Sequence, residues 1–176
     1  PVPSLDAIRQ ATARYRALGE ALRDGYIHDP TLMCVDAAMI GLPDSLGAMG
    51  LHLFHPGLVG IHLPQPVGKR LRGDDARLDW LRPEVLVYEP QVDNSLALVA
   101  VEYLVFEKPW LDAGHTAPPK FGNEPFVLMK DDPATARDES HMLEAHYELH
   151  LWVHRENPLG VFQEFNPRVT CANYAS

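Results

Sequence analysis

Hydrophobic and polar residues alternate near the end of the chain, across residues 146–155. One set of alternate positions holds Tyr147, Leu149, Leu151 and Val153, and the other holds His146, Glu148, His150, Trp152 and His154. A period of two is typical of a β-strand. A helix would align the three histidines at four-residue steps, but it would scatter the apolar residues around its axis and leave no face to bury. The pattern therefore favours a strand over residues 146–155.

The beginning of the chain carries a helical pattern instead. Apolar residues recur at steps of three and four, namely Leu5, Ile8, Ala11, Tyr15, Leu18 and Leu22. Ser4 suits the N-cap of a helix, and Gly25 suits the position where one ends. We therefore predict a helix over residues 4–24 that covers one face of a sheet.

Three further stretches have the composition of β-strands, residues 47–55, 85–88 and 96–106. The last two flank a loop with turn chemistry, which indicates an antiparallel hairpin. The segments 57–82 and 108–133 are rich in glycine or proline, and we expect both to be irregular, with any short helix or strand in the second left open. Together these patterns predict a single α+β domain over residues 1–176. Its N-terminal helix packs on an antiparallel sheet that could close into a barrel.

Composition excludes several classes of partner. The chain has 176 residues and a formal net charge of -9, with its basic residues scattered, so we expect neither nucleic acid nor an anionic membrane surface as a partner. Its longest apolar run, 96–101, has the length of a strand, so we expect no transmembrane segment. The chain opens at Pro1, as it would after removal of a signal peptide or after trimming.

The two cysteines, Cys34 and Cys171, lie near opposite ends of the chain. We predict that they form a disulfide bond, which would close a long loop and stabilise the fold by about 5 kcal/mol in the chain-entropy model. The alternative is two unrelated buried thiols in a cytosolic protein. A disulfide would indicate an oxidising compartment, the periplasm or the exterior of the cell.

Glu102 is the first candidate for chemistry, because it stands alone in the apolar run of residues 96–106. A carboxylate at the centre of such a strand must be neutralised, paired or bound to a metal ion, since an isolated buried charge is very costly. The alternative role is a structural ion pair with an arginine such as Arg155 or Arg168.

The polar face of residues 146–155 is the second candidate. Its histidines are common ligands of transition metals, although a hydrated strand face is the plain alternative. Residues two apart on a strand lie roughly 7 Å apart and residues four apart roughly 13 Å, so His146 and His150 could share one ion only across a bulge or strong twist. The first ligands would therefore be Glu148 with His146 or with His150, completed by His52 and Glu102 from neighbouring strands. We regard His28, His115 and His141 as ordinary surface histidines.

Signatures of several enzyme classes are absent from the sequence, among them the serine hydrolase elbow, the phosphate-binding glycine loop and the His-Glu-x-x-His zinc motif. Metal-assisted chemistry or acid–base chemistry by histidine and glutamate remains, as does simple binding. Glu102 and Glu148 are the candidate catalytic carboxylates.

Several motifs resemble those of a group of uncharacterised bacterial proteins, many of them exported. The motifs are Met49-Gly50-x-His52, Val101-Glu102-Tyr103, His146-Tyr147-Glu148-Leu149-His150-x-Trp152, Asn157-Pro158-x-Gly160-x-Phe162 and Asn166-Pro167-x-Val169-x-Cys171. The resemblance spans nearly the whole chain. It implies an exported protein and singles out the same positions, but it implies no particular reaction.

The leading hypothesis is an exported metal-binding protein that acts on or binds a small molecule. His52, Glu102, His146 and His150 would hold a divalent ion, Zn, Fe, Mn or Cu, with Tyr103 and Trp152 lining the pocket. One rival is a metal-free module that binds a small apolar ligand. The other is a structural or interaction domain whose histidines are merely exposed.

Overall fold

The computed structural model of the chain describes residues 1–29 and 34–174. Its helices are α1 (Leu5–Thr12), α2 (Leu18–Asp24), α3 (Pro56–Val59) and α4 (Glu107–Asp112), with 3₁₀ turns at Ala13–Arg16, Ala38–Ile40 and Asp44–Leu46. Its strands are β1 (Ile27–His28), β2 (Val35–Asp36), β3 (Ala48–Phe54), β4 (Val85–Pro90), β5 (Leu96–Phe106), β6 (Lys120–Phe121), β7 (Glu124–Pro125), β8 (Val127–Met129) and β9 (His146–Leu151). The predicted domain range also includes residues 30–33 and 175–176, which lie outside the described residues.

The main sheet has seven strands in the order β1-β3-β4-β5-β9-β8, with β2 also paired to β3, and every pairing is antiparallel. The predicted α+β class and the antiparallel sheet are therefore confirmed. The barrel is not: across the described residues the sheet stays open, with β1 and β2 at one edge and β8 at the other.

The N-terminal helices pack on one face of this sheet, as predicted. Ile8, Tyr15 and Ala21 from the helices are buried against a set of sheet residues that includes Leu51, Leu53, Leu86, Tyr88, Val101, Tyr103, Leu149 and Leu151. Burial of such side chains contributes about 1.5–3 kcal/mol each for the larger aliphatic and aromatic ones. The alternate residues of the same strands point to the opposite face, because strand side chains alternate.

The predicted helix over residues 4–24 is interrupted. Ser4 caps α1 by accepting a hydrogen bond from the Ala7 amide, but the chain tightens after Thr12 and becomes extended at Ala17 before α2 begins. The Tyr88 hydroxyl, from the sheet, donates a hydrogen bond to the Tyr15 carbonyl at 2.7 Å. That carbonyl therefore accepts a hydrogen bond from the sheet. The helix is interrupted at the point where this tertiary hydrogen bond takes the place of the regular backbone hydrogen bonds.

The last long strand is shorter than predicted, since β9 ends at Leu151 instead of residue 155. Beyond Leu151, the Trp152 amide bonds to the Val161 carbonyl and the His154 amide to the Val99 carbonyl. The neighbouring strand β5 carries a register shift here, because Val87 and Tyr88 of β4 pair with Ala100 and Leu98. Regular pairing therefore ends although the alternation of residues continues.

The two segments predicted as irregular contain different amounts of regular secondary structure. In the segment 57–82, residues 57–59 belong to α3 and the rest contains no helix or strand, apart from an isolated bridge between Leu71 and Leu143. Residues 108–133 contain most of α4 and the short strands β6, β7 and β8, short elements of the kind that the prediction left open. No helix in the described ranges combines the length and the apolar character that a membrane span requires.

The disulfide between Cys34 and Cys171 is present, with an S–S distance of 2.02 Å and Cα atoms 5.7 Å apart. It joins the C-terminal segment to the start of β2. The cysteines lie 137 residues apart, so the bond closes most of the chain into a loop.

Replacement of both cysteines by serine should lower the free energy of unfolding by about 2–5 kcal/mol, since the unfolded chain regains the freedom that the loop removes. Urea denaturation of the double variant beside the oxidised wild type measures this difference. Wild-type protein treated with a thiol reductant should match the double variant. Equal midpoints for oxidised and reduced protein would contradict a stabilising role.

His154 leaves the sheet and contacts the N-terminal helices. Thr12 donates its hydroxyl proton to the Ile8 carbonyl, so His154 Nε2 donates to Thr12 Oγ1, at 2.8 Å. Burial and the charges of Arg16 and Arg9 lower the pKa of His154 from 6.5 to about 4. The folded state therefore holds this ring neutral while the unfolded chain takes up a proton below about pH 6.5.

The sign of the resulting pH effect follows from linkage. Stability contributed by neutral His154 is present above pH 6.5 and is lost as the pH falls towards 4, because only the unfolded state binds the proton there. His154→Gln should therefore lose less stability than wild type between pH 7 and 4.5, measured by urea denaturation at each pH. His28→Gln, which removes an exposed ring, should follow wild type; equal losses for His154→Gln and wild type would refute the assignment.

Candidate metal site

Three side chains from three strands converge inside the protein on the sheet face opposite the helices. Glu102 Oε2 lies 3.2 Å from His52 Nε2 and 3.2 Å from His150 Nε2. The two ring nitrogens lie 3.5 Å apart, with the rings nearly perpendicular at 87°. All three side chains are buried, since the residues are 4%, 3% and 2% exposed for His52, Glu102 and His150. We call this group the triad.

The sheet register places these residues together. Glu102 of β5 and His150 of β9 are direct cross-strand partners, so their side chains leave the sheet side by side. Strand β4 lies between His52 of β3 and Glu102 of β5. It places Val87 beside His52 and Val85 beside Glu102. Because those valines are short, the longer His52 and Glu102 side chains meet above them.

The triad is not internally satisfied by hydrogen bonds. Glu102 Oε2 and His52 Nδ1 are buried polar atoms without a hydrogen-bond partner among the described residues, although both ring nitrogens of the triad approach Oε2. A buried polar atom left unpaired costs about 1–3 kcal/mol, and more when it is charged. The two ring nitrogens and the carboxylate oxygen of the triad therefore surround a shared space, and neither nitrogen forms a well-aligned hydrogen bond to that oxygen.

The separations of the three donor atoms suit coordination of one small ion. A tetrahedral ion with bonds of about 2.0–2.1 Å has donors about 3.3–3.4 Å apart, whereas an octahedral ion with similar bonds has adjacent donors about 3.0 Å apart. The observed distances between the donor atoms, 3.2, 3.2 and 3.5 Å, lie closer to the tetrahedral value. Two imidazoles and one carboxylate form a known ligand set for zinc and for non-haem iron.

The charges in the triad are mutually dependent. Burial raises the pKa of Glu102, but the neighbouring His150, His52 and His146 outweigh it and lower the pKa to about 2. Burial disfavours the charged form of His52, yet the bond to Glu102 and the negative charges of Glu102, Asp29 and Glu148 raise its pKa above 6.5. Glu102 is thus held as a carboxylate, which is the form that binds metal.

No arginine neutralises Glu102. Arg155, one of the two expected partners, pairs with Glu89 at 3.0 Å, and Arg168 pairs with Glu156. In residues 1–29 and 34–174, the only groups in ion-pair contact with Glu102 are the two histidines of the triad. The structural ion pair with arginine is therefore wrong for this carboxylate.

His146 and Glu148 form a second polar pair beside the triad and are not part of it. His146 Nδ1 donates to the Glu144 carbonyl at 2.9 Å, and its Nε2 lies 3.4 Å from Glu148 Oε2. Burial disfavours the charged form of His146, but Glu148, the Glu144 carbonyl and Glu102 raise its pKa. His146, predicted as a ligand, is too far along the strand from His150 to join the same three donors.

A small cavity adjoins both groups. It has a volume of about 30 Å³, room for about two water molecules. Its polar wall is formed by Asp29, His52, Glu102, His141, His146, Glu148 and His150, and its apolar wall by residues such as Phe54, Ile61, Val85, Leu104, Phe106 and Leu143. The triad therefore faces a confined and largely apolar space.

The two aromatic residues predicted to line the pocket do not do so. Tyr103 follows Glu102 in β5 and so points to the helix face, where its hydroxyl donates to the Trp80 carbonyl at 2.6 Å. Trp152 lies behind His150, with the two rings nearly parallel and their centroids 6.4 Å apart. It packs with Val87, Val99, Ala100 and Val169 instead of facing the cavity.

Sequence analysis missed three residues near the site. Asp29 and His141 line the cavity, and Glu164 lies close enough that burial and the charges of Glu148 and Glu102 raise its pKa while His150 lowers it. Glu164 stands between the two Asn-Pro turns, whose bends return the chain to the body. His141 was expected at the surface, and nothing in its local sequence indicates the backbone conformation that turns it inward.

No family model, curated protein or solved structure matches the chain.

The opposite orientation of Tyr103 generates a prediction. Tyr103→Phe should lower the free energy of unfolding by about 1 kcal/mol, because it removes the hydrogen bond to Trp80. It should leave the imidazole NMR signals of His52 and His150 unchanged, since the sheet separates the two sites. Glu102→Gln, the matched change on the other face, should shift both signals. A shift of those signals in Tyr103→Phe would contradict the assignment of faces.

Proposed function

We propose that this protein binds a divalent transition metal through His52, Glu102 and His150 and uses it as an enzyme acting on a small molecule. The observation that carries the proposal is the convergence of three buried donor atoms, from three strands, at 3.2–3.5 Å from one another. Both imidazoles lie within ion-pair distance of Glu102 Oε2, yet that oxygen has no hydrogen-bond partner among the described residues. A cation at the shared point would satisfy it.

The number of ligands favours catalysis over a purely structural metal. Structural zinc sites use four protein ligands, whereas catalytic sites use three and leave a position for water or substrate. The triad supplies three, and its remaining side faces the small cavity. A bound metal would supply Lewis-acid chemistry at that position.

Within this proposal Glu102 acts as a ligand, and Glu148 is the residue for proton transfer. Glu148 lines the cavity beside the triad, 3.4 Å from His146 Nε2, and the Glu144 carbonyl orients that ring. Glu148 could therefore accept a proton from a water or substrate in the cavity while His146 holds the carboxylate in place. Asp29, at the same wall, adds negative charge near His52.

The disulfide supports a location in the periplasm or outside the cell. Disulfides such as Cys34–Cys171 form and persist in oxidising compartments and are rare in the cytosol. The resemblance to exported bacterial proteins points the same way and stays a prediction.

The geometry favours the metal site over its two rivals. A binding module for a small organic ligand needs a pocket of about 300–1,000 Å³, and the cavity at Glu102 has about 30 Å³. A structural domain with hydrated histidines is contradicted by the burial of His146 and His150 beside carboxylates.

Metal titration tests the proposal directly. Protein purified without a histidine tag, stripped with chelator and reconstituted with Zn²⁺, Co²⁺, Mn²⁺ or Cu²⁺ should bind one equivalent of at least one ion, measured by elemental analysis and calorimetry. His52→Ala, His150→Ala and Glu102→Gln should each weaken binding roughly a hundredfold or more, because each removes one of three ligands.

Two variants serve as controls for that titration. His62→Ala removes an exposed histidine, paired with Asp74, and should bind as wild type does. Glu148→Gln should keep the stoichiometry of one. Circular dichroism of each triad variant separates loss of the ligand from loss of the fold. Substoichiometric metal in folded wild type after reconstitution with all four ions would overturn the proposal.

A further inference from the structure

A larger cleft lies outside the small cavity and shares one wall residue with it. The cleft has a volume of about 500 Å³ and is lined by Met39, Ile40, Gly41, Met129, Arg137, Asp138, Glu139 and His141. This volume falls within the range of about 300–1,000 Å³ typical of sites for small organic molecules. His141 lines both spaces, so the cleft and the cavity of the triad meet at its side chain.

The backbone at this shared wall has an uncommon conformation. His141 and Met142 are consecutive non-glycine residues with positive φ angles, 52° and 64°. Such residues are uncommon, and their conformation costs free energy that the surrounding structure must offset. The Met142 amide donates to Asp138 Oδ2 at 2.9 Å and the His141 amide to the Asp138 carbonyl at 3.3 Å, which fixes the turn.

Arg70 holds the whole segment that carries these residues. Its guanidinium donates to Ser140 Oγ at 2.8 Å and to the Leu143 carbonyl at 3.3 Å, and it pairs with Asp131 and with Asp138 at 2.8 Å. One partly buried side chain thus joins both ends of the segment from Asp131 to Leu143. The wall of the cleft is preformed, which lowers the cost of ordering it around a ligand.

The charges in the cleft are unevenly satisfied. Asp138 is paired with Arg70, and Glu139 accepts hydrogen bonds from the Thr135 hydroxyl and the Asp132 amide. Arg137 lies against Gly41, and its guanidinium forms no ion pair with any residue in the described part of the chain. Arg137 is exposed to solvent, and the apolar side chains of Met39, Ile40 and Met129 also line the cleft. The cleft therefore combines an apolar wall with one cation that lacks a counter-ion.

We propose that this cleft is the substrate site of the metal centre and that it takes a small monocarboxylate with an apolar body. The carboxylate would bind the Arg137 guanidinium, whose fork of donors matches two carboxylate oxygens. The apolar body would lie on Met39, Ile40 and Met129, and its far end would pass His141 towards the triad. This inference rests on the proposed metal function for its orientation, but the binding of the carboxylate itself does not require the metal.

The charge balance favours a monocarboxylate over a phosphate. Arg137 is the single unpaired cation among the residues that line the cleft, and Asp138 and Glu139 carry negative charge beside it. The chain as a whole has a formal net charge of -9. A dianion would meet more repulsion here than a singly charged group, because like charges at short range are unfavourable.

Binding of hexanoate to the protein tests the proposal, with 1-hexanol as the uncharged analogue and inorganic phosphate as the competing anion. Calorimetry on metal-free protein should detect hexanoate binding, and Arg137→Gln should weaken it roughly two- to fivefold, as loss of a solvent-exposed ion pair does. Binding of 1-hexanol should be weak and equal in both proteins. Arg23→Gln, which removes an exposed arginine on α2 at the other face of the sheet, should bind hexanoate as wild type does.

NMR locates the ligand independently of affinity. In protein labelled at its methionine methyl groups, hexanoate should shift the signals of Met39 and Met129. In cobalt-loaded protein, the terminal methyl group of bound hexanoate should relax faster than the carbon next to its carboxylate, because that end lies nearer the triad.

The outcomes separate this inference from the metal proposal. Two outcomes support the cleft as the binding site of hexanoate. In the first, His150→Ala loses cobalt but binds hexanoate as wild type does, and this binding depends on Arg137. In the second, wild type takes up no metal but still binds hexanoate in a way that depends on Arg137. Equal hexanoate affinity in wild type and Arg137→Gln, or no binding at all, overturns the cleft while leaving metal binding intact. Phosphate binding as tight as hexanoate binding would overturn the assignment to a monocarboxylate.

Discussion

The structure depends on the burial of one carboxylate that no lysine or arginine in the described part of the chain neutralises. Glu102 sits at the centre of the longest strand, and among residues 1–29 and 34–174 only His52 and His150 lie within ion-pair distance of it. A charge in such a place must be compensated by its immediate neighbours, since it is buried away from bulk solvent and a lone buried ion is prohibitively costly. Two imidazoles can compensate it as proton carriers, or they can share with it a metal cation. The second arrangement satisfies the oxygen that the first leaves without a hydrogen bond.

The two faces of the sheet differ in what they carry, and this difference allows a buried carboxylate in the fold. One face packs against the N-terminal helices and contains tyrosines and aliphatic residues that form the largest hydrophobic cluster. The other face carries the polar side chains of the triad at its centre. Around the triad, a smaller apolar cluster that includes Phe54, Leu104 and Phe106 excludes water. Low polarity around the donors strengthens every electrostatic interaction among them.

Strand alternation is a local property, and for that reason the sequence predicted much of this site. A period of two placed Glu102 and His150 on strand faces, and the spacing along a strand showed that His146 and His150 could not easily share an ion. The same alternation excludes Tyr103 from the face of Glu102, so its assignment to the pocket was an error of inference. The inward position of His141 could not be predicted, because it depends on long-range contacts of Arg70 that leave no local pattern.

The division between donors and walls explains how the site can be rigid without a closed barrel. The donors stand on hydrogen-bonded strands, whose positions vary little. Much of the wall comes from the same strands, and two further wall segments are held by non-local links: the disulfide at Cys34 holds the chain next to Val35, and Arg70 holds the segment of His141. A site of this kind keeps its ligands within a narrow range of geometry before any ion or substrate arrives, which is the condition that tight binding and catalysis both require. The open edge of the sheet near β8 then leaves the outer cleft accessible, so that rigidity at the centre coexists with access from solvent.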